Sequence, residues 1–112
     1  MKVEIKKLLH DIGEAAASIF VYLGEKRDFS VYETNKMLRR AVEREFEIIG
    51  EAISKILKID PDFPIENARR IVDLRNHVIH GYDKVDDVIM WGIINRDLPE
   101  LLNQVDQMLT EE

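Results

Sequence analysis

The sequence contains no cysteine, which excludes disulfide frameworks, thiolate zinc sites and cysteine nucleophiles together. That composition suits a reducing cytoplasm, the expected compartment. Prolines number three and glycines five, and most fall where a helix can start or stop rather than in a linker. Uninterrupted apolar stretches reach only a few residues, far short of the roughly 20 needed to cross a bilayer. Lys2, Lys6 and Lys7 are basic, but Glu4, Asp11 and Glu14 break up any signal-peptide pattern. Basic residues are in deficit, 16 Lys and Arg against 22 Asp and Glu, for a net charge of −6. An acidic total argues against indiscriminate binding to nucleic acid. What is present is ordinary for a folded domain: 112 residues, 46% hydrophobic and 34% charged. That length predicts one domain over 1–112 with one core.

The apolar residues recur with helical period. Ile5, Leu8, Leu9, Ile12, Ala15, Ala16, Ile19 and Leu23 follow steps of three and four, predicting a first helix over about 2–25. Asp28, Phe29 and Ser30 read as a connector, with Ser30 as the capping residue. A second helix is predicted over about 31–58. Its core face is Leu38, Val42, Ile49, Ile53 and Ile56, flanked by Ala41, Phe46, Ala52 and Leu57. Arg40, Arg44, Glu47, Glu51 and Lys55 form its charged face, and Gly50 permits close approach of a neighbour. Asp60-Pro61-Asp62-Phe63-Pro64 breaks the chain, and Pro64 suits the first turn of a third helix over about 64–80 that ends at Gly81. A fourth begins near 83–85 and carries Val88, Ile89, Trp91, Ile93 and Ile94. Asp97-Leu98-Pro99 predicts a kink or restart before a last apolar face of Leu101, Leu102, Val105, Met108 and Leu109. Nothing alternates with the period of a strand. The fold class is all-α, an up-and-down bundle of four or five helices.

The densest polar cluster is Arg75-Asn76-His77-Val78-Ile79-His80-Gly81-Tyr82, where the third helix runs out. Asn76 and His80 are four apart and share a helix face. Arg75 lies roughly 140° around the axis from His80 in a regular helix, a gap that a long side chain or fraying near Gly81 can close. The trio suits a phosphodiester. Arginine offers a planar fork to phosphate oxygens, histidine moves a proton near neutrality, and asparagine orients either. A structural use is equally open on these residues: Arg75 pairing with a carboxylate of the second helix, and His77 and His80 capping carbonyls.

The spacing R-N-x-x-x-H-x-Y from Arg75 to Tyr82 resembles the signature of the HepT-like toxins, small helical ribonucleases of the HEPN superfamily. Arg44-Glu45-Phe46-Glu47-Ile48-Ile49-Gly50-Glu51-Ala52 resembles the family's second-helix block ending in I-G-E-A. Phe63-Pro64-Ile65, Trp91 and Asp97-Leu98-Pro99 match it in order and spacing. The resemblance runs from about residue 37 onward and is weakest over the first helix. It implies a HEPN-like, homodimeric endoribonuclease that needs no metal or other cofactor and uses the RNA's own 2′-hydroxyl as nucleophile. In that reading His80 transfers protons, Arg75 stabilises phosphate and Asn76 positions. The resemblance also implies a partner, a minimal nucleotidyltransferase antitoxin that attaches adenylate to Tyr82 and silences the toxin. Tyr82 otherwise reads as an aromatic residue closing the helix end.

Other features are weaker. His77 and His80 are three apart, but no third ligand is adjacent and His10 is distant, so no metal site is expected. Glu47 and Glu51 either border the active cleft with Arg44 and His77 or pair with Arg44 and with basic residues of another helix. Trp91 suits the core or a dimer interface. Arg69, Arg70, Arg75 and Lys84 form the one locally basic stretch, able to hold RNA or to face solvent. Two rival functions stand beside the nuclease: a non-catalytic helical module that docks a nucleotidyltransferase, and a nucleotide-binding regulatory subunit.

Overall fold

In the computed structural model the described residues are 1–65, 70–73 and 87–111. They are helical, with no strand among them. Helix α1 spans Val3–Leu23, α2 Phe29–Thr34 and α3 Lys36–Ile59. A helical stretch covers 70–73. Helix α4 spans Asp87–Gly92 and passes through a π-helical turn, Ile93–Asp97, into α5, Leu98–Thr110. The all-α reading holds.

Helix α1 buries Ile5, Leu9, Ile12, Ala15, Ala16 and Ile19, the stripe read from the sequence, and packs most extensively on α3 and next on α5. It stops at Gly24, whose φ of 73° is a left-handed conformation that favours glycine. From α3 the core takes Val42, Phe46, Ile49, Ala52, Ile53 and Ile56, with Gly50 also buried. Leu38 and Leu57 are only half-buried against it.

The single helix expected over 31–58 is two. Asp28, not Ser30, caps α2, its carboxylate accepting from the Ser30 amide at 2.9 Å. Asn35 ends α2 in extended backbone and caps α3, its side-chain oxygen accepting from the Leu38 amide at 3.0 Å. One side chain satisfies an orphan amide and so starts a new helix direction. Arg39 donates back to the Glu33 carbonyl across this elbow.

The interruption expected at Asp97–Pro99 is also different: the chain stays helical from Asp87 to Thr110. The Leu98 amide donates to the Ile93 carbonyl five residues back, a widened turn that opens the backbone without ending the helix. Pro99 follows directly on the widened turn, so its missing N–H falls where the regular i−4 ladder is already interrupted. Met90, Ile93, Ile94, Leu98, Leu101 and Val105 complete the core. Pro64 is not helical; its carbonyl accepts from Gln104 Nε2 at 2.9 Å, tying the end of the second loop to α5. The expected starts of the third and fourth helices, at 64 and 83–85, adjoin or fall within residues outside those described.

Candidate active site

Arg75, Asn76, His77, His80 and Tyr82 lie outside the described residues, as do Arg69, Gly81 and Lys84. The structure describes what surrounds the points where the chain departs, at Asp73, and returns, at Asp87. Three polar features of the described residues bear on a site.

The first is the polar face of α3. Arg44, Glu47 and Glu51 line an open groove of about 290 Å³ with Leu8 and Asp11 of α1 and Ile48, Ala52 and Lys55 of α3. Arg44 Nη1 donates to Glu47 at 3.0 Å, Lys55 lies 3.9 Å from Glu51, and Lys7 donates to Asp11 at 3.2 Å. Glu47 pairs with Arg44 as expected, but the other pair, Glu51 with Lys55, lies within α3 and not with a basic residue of another helix. Each pair is intrahelical and at least partly exposed, so each contributes little to stability. Leu8, Ile48 and Ala52 supply the apolar part of the groove's lining.

The second is a half-buried junction one turn earlier on α3. Glu43 lies 3.6 Å from Arg40, and its carboxyl is nonetheless held above the usual carboxylate range. Burial is the main cause; Asp87 and Glu47 add to it, and Arg40 and Arg39 oppose it. Burial likewise pushes the Tyr32 hydroxyl well above its ordinary range, with the charges of Asp87 and Glu43 adding. Tyr32 is 1% exposed, and its hydroxyl has no hydrogen-bond partner among the described residues. Trp91 packs on it with ring centroids 5.3 Å apart and meets Phe29 edge-on at 5.8 Å. Trp91 therefore belongs to the edge of the core. These ring contacts set α4 beside α2.

The third is Asp97, the buried charged residue among those described, at 4% exposure. Its Oδ2 is 3.5 Å from Nε of Arg70, and its Oδ1 is 3.6 Å from Nε of Arg96. Arg70, read as part of a basic stretch free to hold RNA or face solvent, is instead half-engaged by this carboxylate. The described structure thus brings Arg44, Glu47 and Glu51 to one groove and sets Arg70 against Asp97.

Tyr32 and Glu43 were not singled out from the sequence, and Asp97 only as part of a kink and of the family resemblance, not as a site residue. Asp97 had a signal: it lies three after Ile94 and four before Leu101, on the stripe otherwise reserved for apolar residues. Tyr32, three after Phe29, had a similar one. Glu43 had none. Among the described residues no three His, Asp or Glu side chains converge as metal ligands. No helix among them is long and apolar enough to cross a membrane.

A family model described as "Ribonuclease HepT-like" matches residues 4–108. The chain is 36% identical over 107 residues to "Putative RNase MJ1380" of Methanocaldococcus jannaschii, covering 94% of this chain and 96% of that one. It is 31% identical over 112 residues to "Probable ribonuclease HepT" of Thermococcus cleftensis, covering 96% and 98%. A bacterial relative, "Putative RNase TTE0752" of Caldanaerobacter subterraneus, is 33% identical over 88 residues, 75% of this chain and 76% of that one. No solved structure matches. The match includes the first helix, where the motif-based resemblance was weakest. With an all-α fold, a family match over nearly the whole sequence and relatives named as RNases, the chain belongs to the HepT-like ribonuclease family, and its enzymatic class is endoribonuclease.

Proposed function

We propose that this chain is the endoribonuclease toxin of a type VII toxin–antitoxin pair, a single HEPN domain over 1–112 acting as a homodimer in the cytoplasm. The observation that carries the reading is the order Arg75-Asn76-x-x-x-His80-x-Tyr82 inside a HepT-like match spanning 4–108. His80 removes the proton from a ribose 2′-hydroxyl, whose oxygen attacks the adjacent phosphorus. The P–O5′ bond breaks, and the leaving 5′-oxygen takes up a proton from solvent, giving a 2′,3′-cyclic phosphate and a 5′-hydroxyl. Arg75 holds the phosphate oxygens as charge builds, and Asn76 orients the reacting groups. Neither a metal nor another cofactor enters these steps. Arg44, Glu47, Glu51 and His77 border the cleft, which two copies of the motif line together. Apolar surface at Val31 and Met37, beside the α2–α3 elbow, and at Val88 and Ile89 on α4 is more than half exposed in one chain, a face for the second copy.

A nucleotidyltransferase antitoxin attaches adenylate to Tyr82. The added phosphate places negative charge beside Arg75 and repels incoming RNA, so the modified chain is silent.

RNA cleavage by the purified chain in the presence of chelator tests the catalytic half. Products carrying a 2′,3′-cyclic phosphate are expected, and His80→Ala and Arg75→Ala should each lose 10²-fold or more in rate, the scale of a lost acid–base group, with helicity intact. Undiminished cleavage by either variant removes the assignment. Sedimentation at micromolar concentration tests the dimer, and intact-mass spectrometry after co-expression with the nucleotidyltransferase, with peptide mapping to Tyr82, tests the regulation.

A further inference from the structure

We infer that Asp97 is a positioning residue, fixing through Arg70 the helical stretch 70–73 that leads toward Arg75 and His80. The inference rests on the catalytic reading above. It starts from a carboxylate that stability does not explain. Asp97 is 4% exposed, and its Oδ2 has no hydrogen-bond donor among the described residues. Burying a charge without full hydrogen bonding is costly, and a well-packed apolar residue in its place is often as stable or more so. What the carboxylate does hold is two guanidinium groups. Arg96 is its chain neighbour, 3.6 Å away and exposed to solvent. Arg70 comes from the separate stretch 70–73, with its Nε at 3.5 Å.

That stretch is seated by Ile71, which is fully buried, and half-seated by Val72. Apolar contact is non-directional, so a buried side chain such as Ile71 fixes depth but leaves rotation and tilt loosely set. The charge pair beside it supplies a second, directional point. In the helix that the sequence predicts over 64–80, His80 stands eight residues beyond Val72, about 12 Å along the axis. A tilt of about 10° at the root would move it by about 2 Å, and misplacement on the order of 1 Å can cost 10²-fold in rate. Within the π turn Asn95 and Arg96 are exposed, while Asp97 and the following Leu98 are both buried in the core.

The test compares wild type, His80→Ala, Asp97→Asn, Arg70→Gln, Arg70→Lys and the Asp97→Asn/Arg70→Gln double variant. RNA cleavage is measured below the melting temperature of each, and amide hydrogen exchange is followed by mass spectrometry. Asp97→Asn and Arg70→Gln should each lower kcat tenfold or more with KM within twofold, and the double variant should be no worse than the worse single one. Arg70→Lys, which keeps the charge, should stay within about threefold of wild type, an outcome that general destabilisation does not produce. In Asp97→Asn, peptides covering 70–82 should exchange at least tenfold faster while peptides of α1 and α3 are unchanged. If Asp97→Asn fails to fold, Arg70→Gln, whose side chain is 45% exposed, carries both readouts. Wild-type kcat in both single variants, or unchanged exchange over 70–82, overturns the inference. A wild type that cleaves nothing, or His80→Ala cleaving normally, overturns the catalytic reading and with it Asp97's role in the reaction, whatever the exchange shows.

Discussion

The charges along the α1–α3 groove and the charges at the π turn are built from the same residue types and do opposite things. In the groove, Lys7–Asp11, Arg44–Glu47 and Glu51–Lys55 are pairs three or four residues apart on one helix, and solvent reaches them. At the π turn, Asp97 is buried and reaches Arg70, 27 positions away in sequence, as well as its neighbour Arg96. The first kind follows from helical geometry wherever opposite charges are spaced correctly, and it constrains little. The second exists only because the fold brings two elements together, and its energy depends on both staying in place. Ion pairs are therefore informative about this molecule in proportion to the sequence distance they span.

Several measurements break or sharpen that contrast. The largest effect belongs to the apolar seam rather than to any charge. Phe46 is fully buried on α3, and Phe46→Ala should cost about 3–5 kcal/mol in denaturant unfolding, through lost transfer energy and the cavity left behind. A loss below 1 kcal/mol would mean that this apolar seam contributes little to stability. Next comes the elbow. Asn35→Ala removes the α3 cap and should cost about 1 kcal/mol, visible as a lower midpoint at unchanged slope.

Glu43 gives a pH signature. Its folded carboxyl is held above its ordinary range, so the charged form is disfavoured in the folded protein. Stability contributed by the protonated form is complete below the ordinary glutamate range and is lost as pH rises through the folded value. Glu43→Gln should therefore melt higher than wild type at neutral pH, with the advantage shrinking as the pH falls to about 4, near the unfolded value. A constant difference between the two pH values would show that its burial carries no electrostatic penalty. The smallest effect is expected at Lys7. With its side chain 76% exposed, Lys7→Ala should change stability by less than about 0.5 kcal/mol, and the change should vanish in high salt.

Much of the fold was legible because the information is local. The α1 stripe from Ile5 to Ile19 needs only the helical period, and the observed helix ends within two residues of the expected one. Asn35 escaped notice because an asparagine between Val31 and Leu38 reads as one more polar position on a continuing helix; only its bond to the Leu38 amide marks the end. The π turn escaped for a related reason. Apolar residues run through Ile93, Ile94 and Leu98, and a proline two positions after Asp97 reads as a stop, whereas the backbone makes room by widening. The candidate site divides in the same way. Steps of three and four put Arg44, Glu47 and Glu51 on one face, and the proposal for Arg75, Asn76, His80 and Tyr82 comes from their order in the chain. Glu43, Tyr32 and Asp97 acquire their properties from elements far away in sequence, which no local pattern encodes.

The π turn also bears on how the chain length here could change. A turn closed by a five-residue bond holds one residue more than an α turn over a similar rise, so it behaves as a single-residue insertion that the helix has absorbed. Residues after it are displaced by about 100° from where an unbroken α helix would carry them. Removing one exposed residue, Asn95 or Arg96, would let the turn close as α while Met90 on one side and Leu101 on the other keep their places in the core. Deleting Asn95 would also remove the acceptor for Arg27, which reaches its side chain at 3.4 Å. This point of the helix is thus expected to tolerate a length change that any other point between Asp87 and Thr110 would reject. Chains of otherwise similar sequence that differ by one residue between Trp91 and Pro99 should align best with the gap placed inside the turn.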